Sequence, residues 1–200
     1  MIILCHAFEP VKHIYSKLKE NVELNDCNDK IKCFNMGISN KDEKKYINLS
    51  SDNKSGIATY GTNSKYFRKP VKVFNKKQKT QLKALDSLYE NTDKNISYIK
   101  IDTEGYEFFV LNGAKNLISK FRPIIQLEWN KRNMIQCHIN FNDLINLIKK
   151  YNYIPLMIIG EELFLIPKEK IHIFKHLKKP LHKSVIDNQF FNWIENFNDL

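Results

Sequence analysis

Five acidic side chains in this 200-residue sequence have the type and spacing to do chemistry. Asp102, Glu104 and Glu107 crowd around one glycine in the run Asp102-Thr103-Glu104-Gly105-Tyr106-Glu107. Glu104 and Glu107 stand three apart at the start of an expected helix, which puts them on adjoining faces. Anions near a helix N-terminus stabilise it by about 0.3 to 1 kcal/mol each, so one of them, most naturally Glu107, reads as a cap. Three acids exceed what capping needs, and such a cluster could orient or deprotonate an acceptor hydroxyl or hold a cation. Glu9 ends an apolar run over residues 2–8, and Glu128 ends Ile124-Ile125-Gln126-Leu127. A carboxylate at the end of a strand offers two oxygens to two neighbouring hydroxyls, the pattern a ribose diol presents. Glu9 fits that role.

These acids need a scaffold that brings strand ends together. Residues 2–8 read as a strand, and Glu9-Pro10 opens a helix, because proline is favoured in a first turn where its missing N–H has no partner to lose. Val11, Ile14, Tyr15, Leu18 and Val22 keep one helical face until Asn25-Asp26 stop it. Residues 31–38 read as a second strand and residues 46–49 as a short third. The polar stretch over residues 50–81 reads mainly as loop. Residues 96–101 form a compact strand, followed by a helix whose apolar face uses Tyr106, Phe109, Val110, Ala114, Leu117 and Ile118. A strand over residues 123–129 and a helix over residues 142–151 follow. Residues 153–159 and 163–166, joined by the turn at 160–162, read as an antiparallel hairpin. Strands alternating with amphipathic helices predict an α/β fold with a largely parallel sheet covered on both faces and a hairpin at one edge. In such sheets ligands bind beyond the carboxyl ends of the strands, where Glu9, Asp102 and Glu128 fall. Residues 168–200 change to a basic half and then an aromatic half, read as a helical extension to a domain over residues 1–167. Within it, His172 and His176 stand four apart but have no evident third metal ligand.

Composition bounds the function classes. Hydrophobic residues make up 42% of the chain, enough for one globular core. No apolar run approaches the roughly 18 to 20 residues of a membrane helix, and residues 1–5 are too short and uncharged for a signal peptide. Cys5, Cys27, Cys33 and Cys137 form no C-x-x-C pair, which favours reduced thiols and a cytoplasmic setting over a zinc or redox site. The formal charge is +10, from 29 Lys and 3 Arg against 22 acids. A lysine-rich, asparagine- and isoleucine-rich composition weakens bulk charge as a sign of nucleic-acid binding. The surplus is local, however: nine cations and no acid lie from Lys54 to Lys83, interleaved with Tyr60, Tyr66, Phe67 and Phe74. The stretch reads first as a solvated insertion, second as a dock for an anionic substrate. A non-catalytic basic module binding an anionic polymer or nucleic acid through residues 54–83 is the competing function.

The segments Ala7-Phe8-Glu9-Pro10, Leu24-Asn25, Leu85-Asp86-Ser87-Leu88, Ile99-Lys100-Ile101-Asp102-Thr103-Glu104-Gly105-Tyr106-Glu107, Leu111-Asn112-Gly113-Ala114, Arg122-Pro123 and Glu128 together resemble the FkbM-type family of S-adenosylmethionine-dependent methyltransferases. The match extends to the closing hairpin and covers residues 2–167. The resemblance implies a Rossmann-like class I methyltransferase sheet acting on hydroxyl oxygens of sugars or other metabolites. It implies that Glu9 binds the cofactor ribose and that Gly37, Ile38 and Ser39 lie near the adenine. Asp102, Glu104 and Glu107 become the candidate catalytic acids. Glu128, Lys69 and Lys72 become candidate substrate contacts, and no residue is assigned as a metal ligand.

The family pattern places a strand and a glycine-rich turn before its A-F-E-P segment, whereas the first glycine here is Gly37. That turn lets backbone approach the amino-acid end of the cofactor, where a side chain would occupy the space. An N-terminally truncated sheet is therefore expected. It would be a fragment, a degenerate relative, or a chain completed by a partner or oligomer, with weak or absent cofactor binding on its own.

Overall fold

The computed structural model describes residues 4–50, 58–61, 74–159 and 162–177. Its first strand, β1 (Cys5–Phe8), leads into helix α1 (Lys12–Leu24), whose buried Val22 and part-buried Ile14, Tyr15 and Leu18 follow the expected face. Strands β2 (Ile31–Phe34), β3 (Gly37–Ser39) and β4 (Glu43–Ser50) follow, then β5 (Ala58–Thr59) and β6 (Phe74–Ala84). A short helix α2 (Leu85–Leu88) precedes β7 (Tyr98–Ile101), α3 (Glu107–Asn112) and α4 (Lys115–Phe121). The chain continues through β8 (Ile124–Glu128), α5 (Lys131–Gln136), α6 (Phe141–Lys150), β9 (Tyr153–Ile159) and β10 (Glu162–Pro167). A 3-10 helix, Lys168–Leu177, closes the described residues.

Among the described residues the strands form three sheets in place of the single, largely parallel one expected. β1 and β2 pair in parallel. β7 and β8 also pair in parallel, and β8 continues through the antiparallel hairpin β9–β10 in the order β7-β8-β10-β9. The third sheet runs β3-β6-β4-β5, with β3 parallel to β6 and the rest antiparallel. The expected strand over residues 31–38 is therefore two. It breaks at Asn35, whose side-chain amide donates to the carbonyls of Glu9 and Pro10 (2.9 and 3.3 Å), so β3 leaves for another sheet.

The reading of residues 50–81 as mainly loop is corrected by β6, eleven residues long and paired along β4. Its lysines hide a period of two. Lys77 and Lys79 are exposed, while Thr80, Leu82 and Ala84 are buried. The inward polar groups are satisfied: the Thr80 hydroxyl donates to the Lys45 carbonyl (2.9 Å), and the Gln78 amide donates to the Pro10 carbonyl (2.9 Å). Hydrophobicity alone does not reveal a strand whose buried face is partly hydrogen-bonded. Of the basic run, Lys54, Lys65, Arg68, Lys69 and Lys72 lie outside the described residues, as does the aromatic half of the C-terminal extension.

One core joins the two four-stranded sheets. Leu82, Leu111, Ile118, Ile125, Leu127, Leu144, Ile148 and Leu163 are all fully buried in a single cluster that also takes in Val11, the N-cap of α1. The end of α4 is fastened to the hairpin by Arg122, which adopts a left-handed φ of 50°. Its guanidinium donates to both Glu169 oxygens (2.7 and 3.0 Å) and to the Tyr151 and Asn152 carbonyls, and it stacks over the Tyr153 ring. Arg122→Ala is expected to lower unfolding stability by about 1 to 2 kcal/mol in urea titrations, the exposed ion pair adding little beyond the carbonyl bonds and the stacked ring. Among the described residues no helix is long and apolar enough to cross a membrane.

Candidate active site

The turn after β7 is built by one buried acid. Glu107 has no exposed surface, and its Oε1 accepts from the Thr103 amide (3.0 Å), the Thr103 hydroxyl (2.9 Å) and the Gly105 amide (3.3 Å). Its other oxygen, Oε2, is buried with no hydrogen-bond partner. Burial pushes the Glu107 carboxyl above the usual carboxylate range, although its donors pull the other way. With Glu107 as a post, the chain takes two successive positive φ values, 53° at Glu104 and 98° at Gly105. The first is costly for a residue with a Cβ, and it swings the Glu104 side chain toward α5.

Helix α5 starts at Asn130, whose side chain accepts from the Arg132 and Asn133 amides, the usual chemistry of an N-cap. That start aims Asn133 back at the strand ends. Its Nδ2 donates to Glu104 Oε2 (2.8 Å) and to Glu128 Oε1 (3.2 Å). The amide orientation follows from chemistry, since both partners are acceptors. Glu128 ends β8 as expected, and its carboxyl is pushed up to about 8, first by desolvation and then by the charges of Glu104, Glu107 and Asp102, against the lowering Asn133 bond. Asp102 shares the rim but not the clamp. It is half exposed and paired with Lys100 (3.0 Å), which also reaches Glu162 (3.1 Å).

Glu9 stands one residue past β1, a strand in a different sheet from β7 and β8. Its Oε1 accepts from the Val11 amide (2.7 Å) at the opening of α1, and burial raises its carboxyl. Glu9 acts electrostatically on the Tyr60 hydroxyl, which burial pushes up to about 12 and which shares a hydrogen bond with Thr80 (2.9 Å). Tyr60 packs on Tyr106 with ring centroids 4.8 Å apart, and Tyr106 follows the Glu104–Gly105 turn. Lys45 Nζ lies over both rings and donates to the Tyr106 hydroxyl (2.6 Å).

The remaining expected residues are placed differently. Gly37 and Ser39 are buried. A Cβ on Gly37 would meet Leu82, Tyr60 and Pro10, and the Ser39 backbone is closed over by Gly113, so Ile38 alone of the three keeps exposed surface. Lys69 and Lys72 lie outside the described residues. Among the described residues no group of three His, Cys, Asp or Glu side chains comes together as a metal site, and His172 is exposed. Cys137 is buried beside the Glu104 carbonyl (3.8 Å) and Thr59, with its thiol pushed up to about 12 by desolvation. The four cysteines are free thiols. Two shallow concavities, one lined by Asp86, Tyr89 and Phe121 among others, the other by Lys44, Lys79, Thr80 and Gln81, include none of the rim acids.

Asn133 and Lys45 escaped the sequence reading, which took Tyr60 only as an aromatic within the basic stretch. Asn130 ahead of a polar run was the available signal for α5, an N-cap without apolar periodicity behind it. Nothing local marks Tyr60 or Lys45, which the pairing of β4 with β5 and β6 brings in.

Comparison with known proteins follows the same lines. Residues 2–155 match the model of the Methyltransferase FkbM domain. The fold is similar to the crystal structure of Methyltransferase FkbM from Methylobacillus flagellatus KT, with a TM-score of 0.52 and 16% sequence identity. That likeness covers 80% of this chain and 36% of the other, so the chain spans little more than a third of that protein's length. Comparison with curated proteins gives no match.

Proposed function

The chain belongs to the FkbM methyltransferase domain family, and from that premise we propose that it carries the S-adenosylmethionine-dependent transfer of a methyl group to a hydroxyl oxygen of a sugar or other metabolite. The observation that supports this most is the Glu104–Glu128 pair after β7 and at the end of β8, both bonded to Asn133, with a further, half-buried carboxylate, Glu9, just past the end of β1.

The side chains fit part of the cofactor. Glu9, half-buried at a strand end, suits the ribose diol. Glu104 and Glu128 suit a cationic centre and an acceptor proton. The described glycines do not supply a cradle for the amino-acid end, because Gly37, Gly61, Gly105 and Gly113 are each packed against protein atoms. Among the described residues β1 and β7 each end their sheets, and a parallel strand joining them, from another segment or a partner chain, would complete a Rossmann-like sheet and bring such a turn.

When bound, the cofactor would supply a methyl group already activated on a sulfonium sulfur. What the chain adds is alignment and a proton acceptor. Glu128 receives the acceptor hydroxyl's proton, freeing that oxygen's electron pair. Its raised affinity for protons suits a base working near neutral pH. Glu104 lies beside it, Asp102 and Lys100 form the outer rim, and Glu107 holds the turn rigid.

Calorimetry tests the reading. S-adenosylmethionine is expected to give binding heat at high cofactor concentration, and Glu9→Ala to lower affinity at least about tenfold through loss of a charge-assisted bond. Equal heat from the variant and the unaltered protein would count against it.

A further inference from the structure

One side chain that no motif contains donates to both carboxylates of the candidate site. Asn133 Nδ2 carries two protons; one is directed to Glu104 Oε2 at 2.8 Å and the other to Glu128 Oε1 at 3.2 Å, with Oε2 of Glu128 at 3.5 Å. An amide is neutral, so it brings two like charges together without neutralising either, and the cost of that approach remains. Asn133 is itself held: its backbone amide is bonded to the Asn130 cap at 3.3 Å, and its carbonyl lies against Gly105. The clamp therefore joins the α5 cap, the strained turn after β7 and the end of β8.

We infer that Asn133 is a positioning residue, clamping Glu104 and Glu128 side by side so that Glu128 is held ready to take the proton of an acceptor hydroxyl. This deepens the methyl-transfer reading and rests on it for the identity of the acceptor, but the clamp itself is a property of the free protein. The groups facing Glu128 are Glu104, Glu107 and Asp102 from the turn after β7, Asn130 and Asn133 from α5, and Glu162 opposite it on β10, with Lys100 alongside on β7. Lys100 is engaged with Asp102 and Glu162, and Asn133 donates to both Glu104 and Glu128. The bond stabilises the ionised form, so its removal raises the proton affinity of Glu128 further.

The test is carboxyl 13C NMR of the full chain across pH, with no cofactor, on the unaltered protein and Asn133→Ala. The titration midpoint of Glu128 is expected to move up by about one pH unit in the variant, the scale of one lost hydrogen bond. A folded variant with an unmoved midpoint overturns the clamp. Should Asn133→Ala fail to fold, the unaltered protein still decides: the Asn133 side-chain amide resonances are expected to titrate at the Glu128 midpoint, and their failure to respond overturns the inference. S-adenosylmethionine heat with no midpoint shift would remove the clamp and leave the methyl-transfer reading standing. A midpoint shift with no heat would do the reverse.

Discussion

Gly105→Ala is expected to be the most damaging glycine-to-alanine change among the described residues, lowering unfolding stability by at least about 3 kcal/mol. Two effects add. The φ of 98° lies where a residue with a Cβ is strained. The new methyl would also fall well inside contact distance of the Asn133 carbonyl group, with the Met134 amide 2.9 Å away. Those are backbone atoms, so relief requires α5 to move as a body, and with it the Asn133 clamp. Urea denaturation followed by circular dichroism measures the loss. A change below about 1 kcal/mol would mean that the turn and α5 are not in the contact described.

Glu128→Gln is expected to stabilise the protein at alkaline pH. The folded carboxyl titrates near 8 against an ordinary 4.5, so between those values the folded state binds more protons than the unfolded one. Stability therefore falls as pH rises from 4.5 to about 8 and is level above that. The amide cannot ionise, and it removes this penalty. The full shift corresponds to roughly 4 to 5 kcal/mol, and solvent contact at the carboxyl reduces the expected gain to about 2 kcal/mol at pH 9, with almost none at pH 4. Thermal unfolding at both pH values checks the sign. A variant less stable than the parent at pH 9, or equally shifted at both, would show that Glu128 is not held in a desolvated, acid-crowded position. A group that weakens the fold at its working pH is what a functional site requires.

How far the sequence carried the account depended on whether local chemistry or distant pairing decided each element. β7, its acidic turn, β8 and the closing hairpin were legible because short apolar runs ended on acids and glycine. Glu107 was legible as a helix-start acid, and its burial as the post of the turn follows from the two positive φ values that only folding reveals. β6 was illegible because hydrogen-bonded Thr80 and Gln78 replace apolar residues on its inner face. The parting of β2 from β3 depends on Asn35 reaching back to Glu9 and Pro10, a contact 25 and 26 residues away. Asn133 shares that character: its importance lies in two acids that are 29 and 5 residues distant. Gly37 and Ser39 illustrate the opposite error, since a position after a strand suggested an open edge, and packing against Leu82 and Gly113 closed it.

The claim that Glu9 and the Glu104–Glu128 pair bound one methyl-donor pocket is tested most directly by mapping amide NMR shifts as S-adenosylmethionine is added. The account predicts perturbations at Glu9, Val11, Tyr60, Glu104, Gly105 and Asn133 together, rising along a single saturation curve. Perturbations confined to the lysine face of β4 and β6 or to the hollow around Asp86 and Tyr89, with Glu9 and Glu104 unmoved at saturation, would contradict it.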